Sequence, residues 1–362
     1  MSSLDSVRVN ILPAPTWHRL HVNDANISVP SSTIPLPILD NATSDPVVSV
    51  GARIFPEGVS FHTGMGSEYD AYLQKQTLPI CFAIAENQTS RADWLISCDE
   101  VKNGAASMEI YAEAGSDLTL YQYITGSADA TVEQLICALQ TKLYLQPGAH
   151  IKLVQIQTVE SPFLFLNDVG AICQENAHFE LVQLFLGGAE TYTGCQTDLT
   201  GTSSRFDAAI GYYAQGSRLI DCNYTATHIA QHTQSNMNAY GVLDHQAQKV
   251  FRGTIDFKQG SAGSVGGETE DVLMLGSKVV NRTIPLILCA EEDVQGSHGA
   301  SIGQPDEETL FYLCTRGISM EDAYRLLARS KMDTVCRLLD TEAQQRVGQY
   351  LAEVMGFDGE EL

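Results

Sequence analysis

From Ala92 to about Cys289 the chain is a succession of short apolar runs, each bounded by Gly, Asn, Asp or Ser. The clearest are Trp94–Ser97, Ser107–Ala112, Leu118–Ile124, Ile151–Gln157, Phe179–Leu186, Ala208–Tyr213, Arg218–Tyr224, Val250–Phe257, Val272–Leu275 and Ile284–Cys289. Small or apolar residues alternate along most of them, which reads as strands. The corners are Gly-plus-polar rather than a series of Asn-Gly or Asp-Gly turns, so a meander of antiparallel hairpins is disfavoured. Ala177, Ala208, Ala209, Ala226, Ala230 and Ala262 suit the tight interior of a parallel β-helix, where each turn stacks on the last. No strict repeat period can be counted. One interruption is expected, a helix near Thr131–Leu143, because Leu135, Leu139 and Leu143 recur at helical spacing.

The flanks differ in texture. Residues 1–91 are broken by Pro13, Pro15, Pro30, Pro35 and Pro37 and read as a small mixed segment, with a helix over Ser67–Gln76 where Tyr69, Tyr72 and Leu73 share a face. Residues 290–362 read as a helical domain. Pro305-Asp306-Glu307-Glu308 places a proline and three acids at a helix start, and Gly317 suits its end. Ser319 with Asp322, and Thr341 with Gln344, resemble capping boxes of two further helices. The expected organisation is therefore mainly β: 1–91 mixed, 92–289 β-helix core, 290–362 C-terminal helices.

Among 362 residues, 44 are acidic and 21 basic, a formal charge of −23. Such a surface repels phosphate backbones and anionic headgroups, so neither nucleic acid nor membrane is an expected partner. Met1–Pro13 lacks the basic and apolar regions of a secretory signal, and a cytoplasmic location is expected. Nine cysteines occur singly, with no C-x-x-C pair, which is neither a disulfide framework nor a zinc knuckle. There is no G-x-x-x-x-G-K-[ST], G-x-S-x-G or H-E-x-x-H, so no nucleotide site or familiar catalytic motif is expected in this chain.

The chemistry concentrates after Pro285. Ile284–Cys289 reads as a final buried strand, followed by the acidic turn Glu291-Glu292-Asp293 and by His298 between Gly296 and Gly299. A glycine-flanked imidazole beside carboxylates suits iron or zinc, and a solvated loop histidine is the other reading. Cys289 and Cys314 are near enough in sequence to serve as ligands, although lone buried cysteines usually act as small hydrophobes. Cys195 and Cys222 read as core. His228 and His232, four apart in an extended context, lie about 13 Å from one another, too far for one metal, and read as structural residues at a corner. Phe311, Tyr312 and Leu313 read as a stripe anchoring their helix to the β-helix. Arg316 is placed to pair with a neighbour or a partner, and Leu326, Leu327, Leu338 and Leu339 offer a groove for a partner helix.

Asp293 to Gly303, with Leu310-Phe311-Tyr312-Leu313 and Arg316-Gly317-Ile318, resembles the signature D-V-x-C-S-H-G-A-T-x-G…F-Y-L-x-S-R-G-I of the SufB/SufD family of iron–sulfur cluster assembly scaffolds. Val250-Phe251-Arg252-Gly253-Thr254-Ile255 is similar to the family's V-F-x-G-x-I strand. The likeness spans about Phe179 to Arg329. It implies a right-handed parallel β-helix with C-terminal helices, and a non-catalytic SufD-like subunit of a SufBCD-type complex. It further implies a SufB-like partner, a SufC-like ABC-type ATPase docked on the helical end through residues such as Phe311, Tyr312, Arg316, Leu326 and Leu327, and a nascent cluster at the subunit interface near His298. Gly296 stands where the family pattern has Cys, which removes the nearest thiolate. Alternatives are a SufB-like subunit, a homodimeric adaptor, and a polysaccharide-active β-helix enzyme, which would require export and paired carboxylates in a groove.

Overall fold

The computed structural model describes residues 4–16, 18–40, 47–50, 54–99, 101–128 and 134–356. β1 (Leu4–Val9) and β2 (Ala25–Pro30) form an antiparallel pair, followed by β3 (Ile34–Pro35), β4 (Ile38–Asp40), β5 (Val47–Val50) and α1 (Ser67–Gln76). Strands then come two to a turn. The first four turns are β6 (Ile80–Ile84) with β7 (Thr89–Ser97), β8 (Asn103–Ala112) with β9 (Asp117–Thr125), β10 (Leu135–Leu145) with β11 (His150–Gln157), and β12 (Phe163–Cys173) with β13 (His178–Phe185). The rest are β14 (Glu190–Leu199) with β15 (Arg205–Ala214), β16 (Leu219–His228) with β17 (Gln234–Leu243), β18 (Gln248–Phe257) with β19 (Ser264–Met274), and β20 (Val280–Cys289) with β21 (Val294–Gly303). From β6 on, even-numbered strands stack in one parallel sheet and odd-numbered strands in the other, a β-solenoid of about 8 turns.

The stacking has a periodic device at one corner. Asn87, Gly115, Gly148, Asn176, Ser203, His232 and Gly263 each hold a left-handed backbone at intervals of roughly 30 residues, the range of solenoid repeats. Each donates its N–H to a carbonyl in the corner of the next turn, from Asn87 to Ala114 through to Gly263 to Asp293. Glycine and asparagine tolerate this conformation best, so the repeat is one of backbone state rather than of one residue type. His232 is a corner residue, as expected from the sequence.

The helix expected near Thr131–Leu143 is not formed. Residues 131–133 lie outside the described residues, and Leu135–Leu145 is strand β10. A spacing of four satisfies a period of two as well as a helical one, so Leu135, Leu139 and Leu143 all face the interior, with Cys137 and Leu145 between and beyond them. The alternate residues Ile136 and Ala138 pack outward under the N-terminal segment. A strand buried on both faces loses the alternation that would reveal it. The same holds for β12, buried along its whole length.

Both outer faces are covered. Val7, Val9, Ile27, Val29, Met65, Tyr69, Tyr72 and Leu73 of the N-terminal segment pack on the even sheet. Gly64 crosses strand β14 at Gly194 so closely that a Cβ on Gly64 would lie 1.9 Å from the Cys195 amide nitrogen. The wholly buried Arg252 guanidinium binds both oxygens of Asp221 and the carbonyl of Val22, and Asn10 Nδ2 donates to the same carboxylate at 2.6 Å.

On the odd sheet lie α3 (Met320–Cys336) and α4 (Thr341–Met355), with α2 (Glu307–Thr315) packed against α3. Ala328, Met332, Val335, Val347 and Leu351 meet Tyr121, Val154, Val182, Leu184 and Val242. Asp306 and Ser319 cap α2 and α3 as their sequences imply. For α4 the cap is Asp340, which accepts from the Ala343 N–H, one residue before the expected Thr341.

Candidate functional site

Ile284–Cys289 is not the final strand and is not buried. β21 follows it, so His298 sits in a strand and not in a loop. β20 and β21 are the last members of their sheets, and nearly all of β21 is exposed. The last turn thus presents the end of the solenoid interior to solvent, with Ile287 and Val294 only partly buried against the core and Ile302 39% exposed.

Register decides which way His298 faces. It pairs with Glu268 of β19, and Gly296 pairs with Gly266. Side chains at paired positions of a parallel ladder share a face. Along β19 the buried positions are Ser264, Gly266, Glu268, Glu270 and Val272, the interior set. A Cβ on Gly296 would touch Ile287 at 3.0 Å and Phe257 at 3.2 Å, both interior groups. His298, two residues on, therefore looks into the mouth of the solenoid. Cys289 closes the opposite strand and pairs with Phe257 of β18, on the same inward face. It is exposed, β20 being the last strand of its sheet among the described residues.

Beneath His298 lie two buried carboxylates that the sequence reading passed over, since an acid in a Gly-rich strand looks like a surface residue. Glu270 pairs with the buried Lys249 ammonium and also accepts from Thr283 Oγ1 and Tyr212 Oη, the latter at 3.1 Å. Glu268 has one buried oxygen with no hydrogen-bond partner. Burial, reinforced by the neighbouring Glu270 charge, pushes its carboxyl up to about 7, and the Lys249 charge offsets part of that rise. A half-protonated carboxyl near neutral pH directly below an exposed imidazole can take up a proton or a cation arriving at the mouth. Gly253 opposite leaves the space it needs: a Cβ there would lie 2.3 Å from the Glu268 carboxyl carbon.

The remaining candidates separate. Cys195 and Cys222 are fully buried in the interior and burial raises both thiols, so they are core. Cys314 lies on α2, partly buried. His228 is buried, donates to or accepts from Thr233 and Ser235 at 2.7 and 2.9 Å, and is held by burial at about 4, a neutral structural ring.

The stripe on α2 divides differently from its expected anchoring role. Leu310 is the buried residue, whereas Phe311 and Tyr312 are 71% and 56% exposed. Arg316 stacks its guanidinium 5.1 Å from the Tyr312 ring. Leu326 is exposed and Leu327 half-buried beside Pro305, Thr309 and Lys331. No helix among the described residues is long and apolar enough to cross a membrane.

The fold is a two-sheet parallel solenoid, covered on parts of both faces, whose last turn among the described residues is exposed. The chain belongs to the family described as SUF system FeS cluster assembly, SufBD core domain, whose model matches residues 96–331. It is 25% identical over 182 residues to the iron–sulfur cluster assembly protein SufD of Bacillus subtilis, covering 50% of this chain and 42% of that protein. It is 24% identical over 221 residues to SufB of the same organism, covering 61% and 46%. A SufBD family protein of Mycobacterium bovis, Mb1496, is 22% identical over 201 residues, 56% of this chain and 24% of that protein. The chain spans less than half the length of each of these relatives.

Proposed function

We propose that this chain is a SufD-like, non-catalytic scaffold subunit that helps assemble iron–sulfur clusters at the open end of its solenoid, with a SufB-like subunit completing the stack. The observation that carries this reading is the inward-facing His298 on an uncovered last turn, whose other strand ends in the inward-facing Cys289. Unpaired strand edges are templates for another chain's strands, and a partner seated there encloses both side chains. Histidine can replace thiolate at iron, and Cys289 offers a sulfur on the face where Gly296 lacks one. The remaining ligands come from the partner. The Ser297-His298-Gly299 signature favours SufD over SufB, while the two Bacillus relatives are nearly equal in identity.

Exposed Phe311, Tyr312 and Leu326 give the helical appendage a surface for a SufC-like ATPase, which supplies the nucleotide chemistry. The test is anaerobic co-purification with candidate SufB-like and SufC-like chains, with iron and sulfide measured per complex. His298→Ala is expected to leave the complex intact and lower both several-fold, and Cys289→Ala to lower them less. A complex that carries a full cluster in the His298→Ala variant, or a chain that binds neither partner, overturns the proposal.

A further inference from the structure

A second cluster of side chains lies on the outer face of the odd sheet, in mid-solenoid rather than at the open turn. His150 and His178 open β11 and β13 and are register partners, their rings stacked with centroids 5.0 Å apart. Glu180, two residues along β13, brings Oε1 to 3.1 Å from His150 Nε2 and 3.7 Å from His178 Nδ1. One ring nitrogen from each histidine and a Glu180 oxygen all lie within 4.8 Å of one another, the only such group of three among the described residues.

The far side of each ring is held. His150 Nδ1 is 3.0 Å from Asp117 Oδ2, and His178 Nε2 is 2.7 Å from Asp207 Oδ2. Asp207 is itself fixed by Arg205 and by Asn236 Nδ2 at 2.9 Å. Carboxylates that accept from one ring nitrogen set the tautomer and turn the other nitrogen's lone pair inward, the usual support of histidine metal ligands. Two ring nitrogens and one carboxylate oxygen thus converge on one small space, a donor set of the kind that holds a borderline metal ion.

Lys152, the register partner of Glu180, donates its ammonium to the Leu338 carbonyl at 2.7 Å, and Arg205, the register partner of His178, is engaged by Asp207. All three ligand side chains are about one-third exposed, which leaves solvent access for a fourth, water-filled position. We propose that His150, His178 and Glu180 form a binding site for a divalent transition-metal ion of the zinc class, supported by Asp117 and Asp207. The site is independent of the open-end reading, since it uses none of its residues.

The experiment titrates the full chain, freed of metal by chelation, with zinc and with cobalt, and measures bound metal per chain after gel filtration. One ion per chain is expected, with the visible absorption of low-symmetry cobalt bound by nitrogen and oxygen. His150→Gln and His178→Gln should each abolish stoichiometric binding, and Asp117→Asn should weaken it by about 10- to 100-fold. The Cys289→Ala/His298→Ala double variant should bind as the parent does, which separates this site from the open turn. Circular dichroism and urea unfolding of each variant establish that a loss of metal is not a loss of fold, and Glu180→Gln, which keeps shape, serves if a histidine variant unfolds. Absence of stoichiometric uptake by the parent, or undiminished uptake in folded His150→Gln or Glu180→Gln, overturns the assignment.

Discussion

The two ends of the solenoid are finished differently. At the first, β6 is bordered by antiparallel β5 and β7 by antiparallel β4, so both edges are closed by strands running against the stack. At the last, β20 and β21 end their sheets with no bordering strand among the described residues. An unprotected edge invites pairing, and natural proteins normally blunt it. The uncovered edge coincides with the turn that carries the inward-facing His298. The comparison predicts that substitutions in the sealed body cost stability, whereas those in the open turn cost assembly.

The largest stability loss is expected where the N-terminal cover locks onto the body. Arg252→Met removes the guanidinium that binds Asp221 and the Val22 carbonyl, leaving Asp221 buried with only Asn10 as a neighbouring donor. Breaking one partner of a buried ion pair costs about 3 to 5 kcal/mol. Urea unfolding of the parent and variant measures it. A loss under about 1 kcal/mol would mean that the cover is not a working part of the fold.

A smaller, pH-dependent effect separates body from mouth. The Glu268 carboxyl, at about 7 in the folded chain against 4.5 for the free side chain, holds a proton that the unfolded chain releases between those values. Native stability therefore falls as pH rises through this window, by about 3 kcal/mol at most from this group. Glu268→Gln should remove that part of the slope and be more stable than the parent at pH 8, with little difference at pH 4. His228 works in the opposite sense: held at about 4, its buried neutral ring supplies stability above pH 6.5 that is lost as pH falls toward 4. Parallel slopes for parent and Glu268→Gln in urea titrations from pH 4 to 8 would show that Glu268 is solvated and not beneath the mouth.

Much of the solenoid is legible in the sequence where an apolar run is short and bounded by turn residues. Val250–Phe257 and Ile151–Gln157 announce themselves by composition and bounded length. The reading fails in β10, where leucines four apart satisfy a helical period as well as a period of two, and in β12, which is buried along its whole length and shows no alternation. It also fails where the strand is bare, as in β21, whose Gly and Ser content mimics a loop. The repeat escapes counting because the corner demands a left-handed backbone that Asn, Gly, Ser and His all supply. His298 is visible through its flanking glycines and its motif, and Cys289 through its nearness to that motif. Glu268 is not, because only register places it under His298. His150, His178 and Glu180 are far enough apart in sequence that only the stacking of turns unites the two rings.

The smallest stability effects are expected at the exposed residues, and they are the sharpest check on the division between body and end. Phe311→Ser and Tyr312→Ser alter side chains that face solvent on α2, while the helix is held by buried Leu310 and by the Asp306 cap. Surface changes of this kind usually stay within about 0.5 kcal/mol. His298→Ala belongs with them, since its ring is exposed and the β21 backbone ladder to β19 does not depend on it. If these apolar and aromatic groups serve a partner, the double variant Phe311→Ser/Tyr312→Ser should weaken binding of a SufC-like ATPase by about tenfold or more, the scale of an aromatic hot spot, and His298→Ala should not. A pull-down with quantified ATPase, run beside urea unfolding of each variant, reads both quantities. Equal ATPase binding by the double variant and the parent would move the docking surface off α2, and a marked stability loss would return Phe311 and Tyr312 to a packing role.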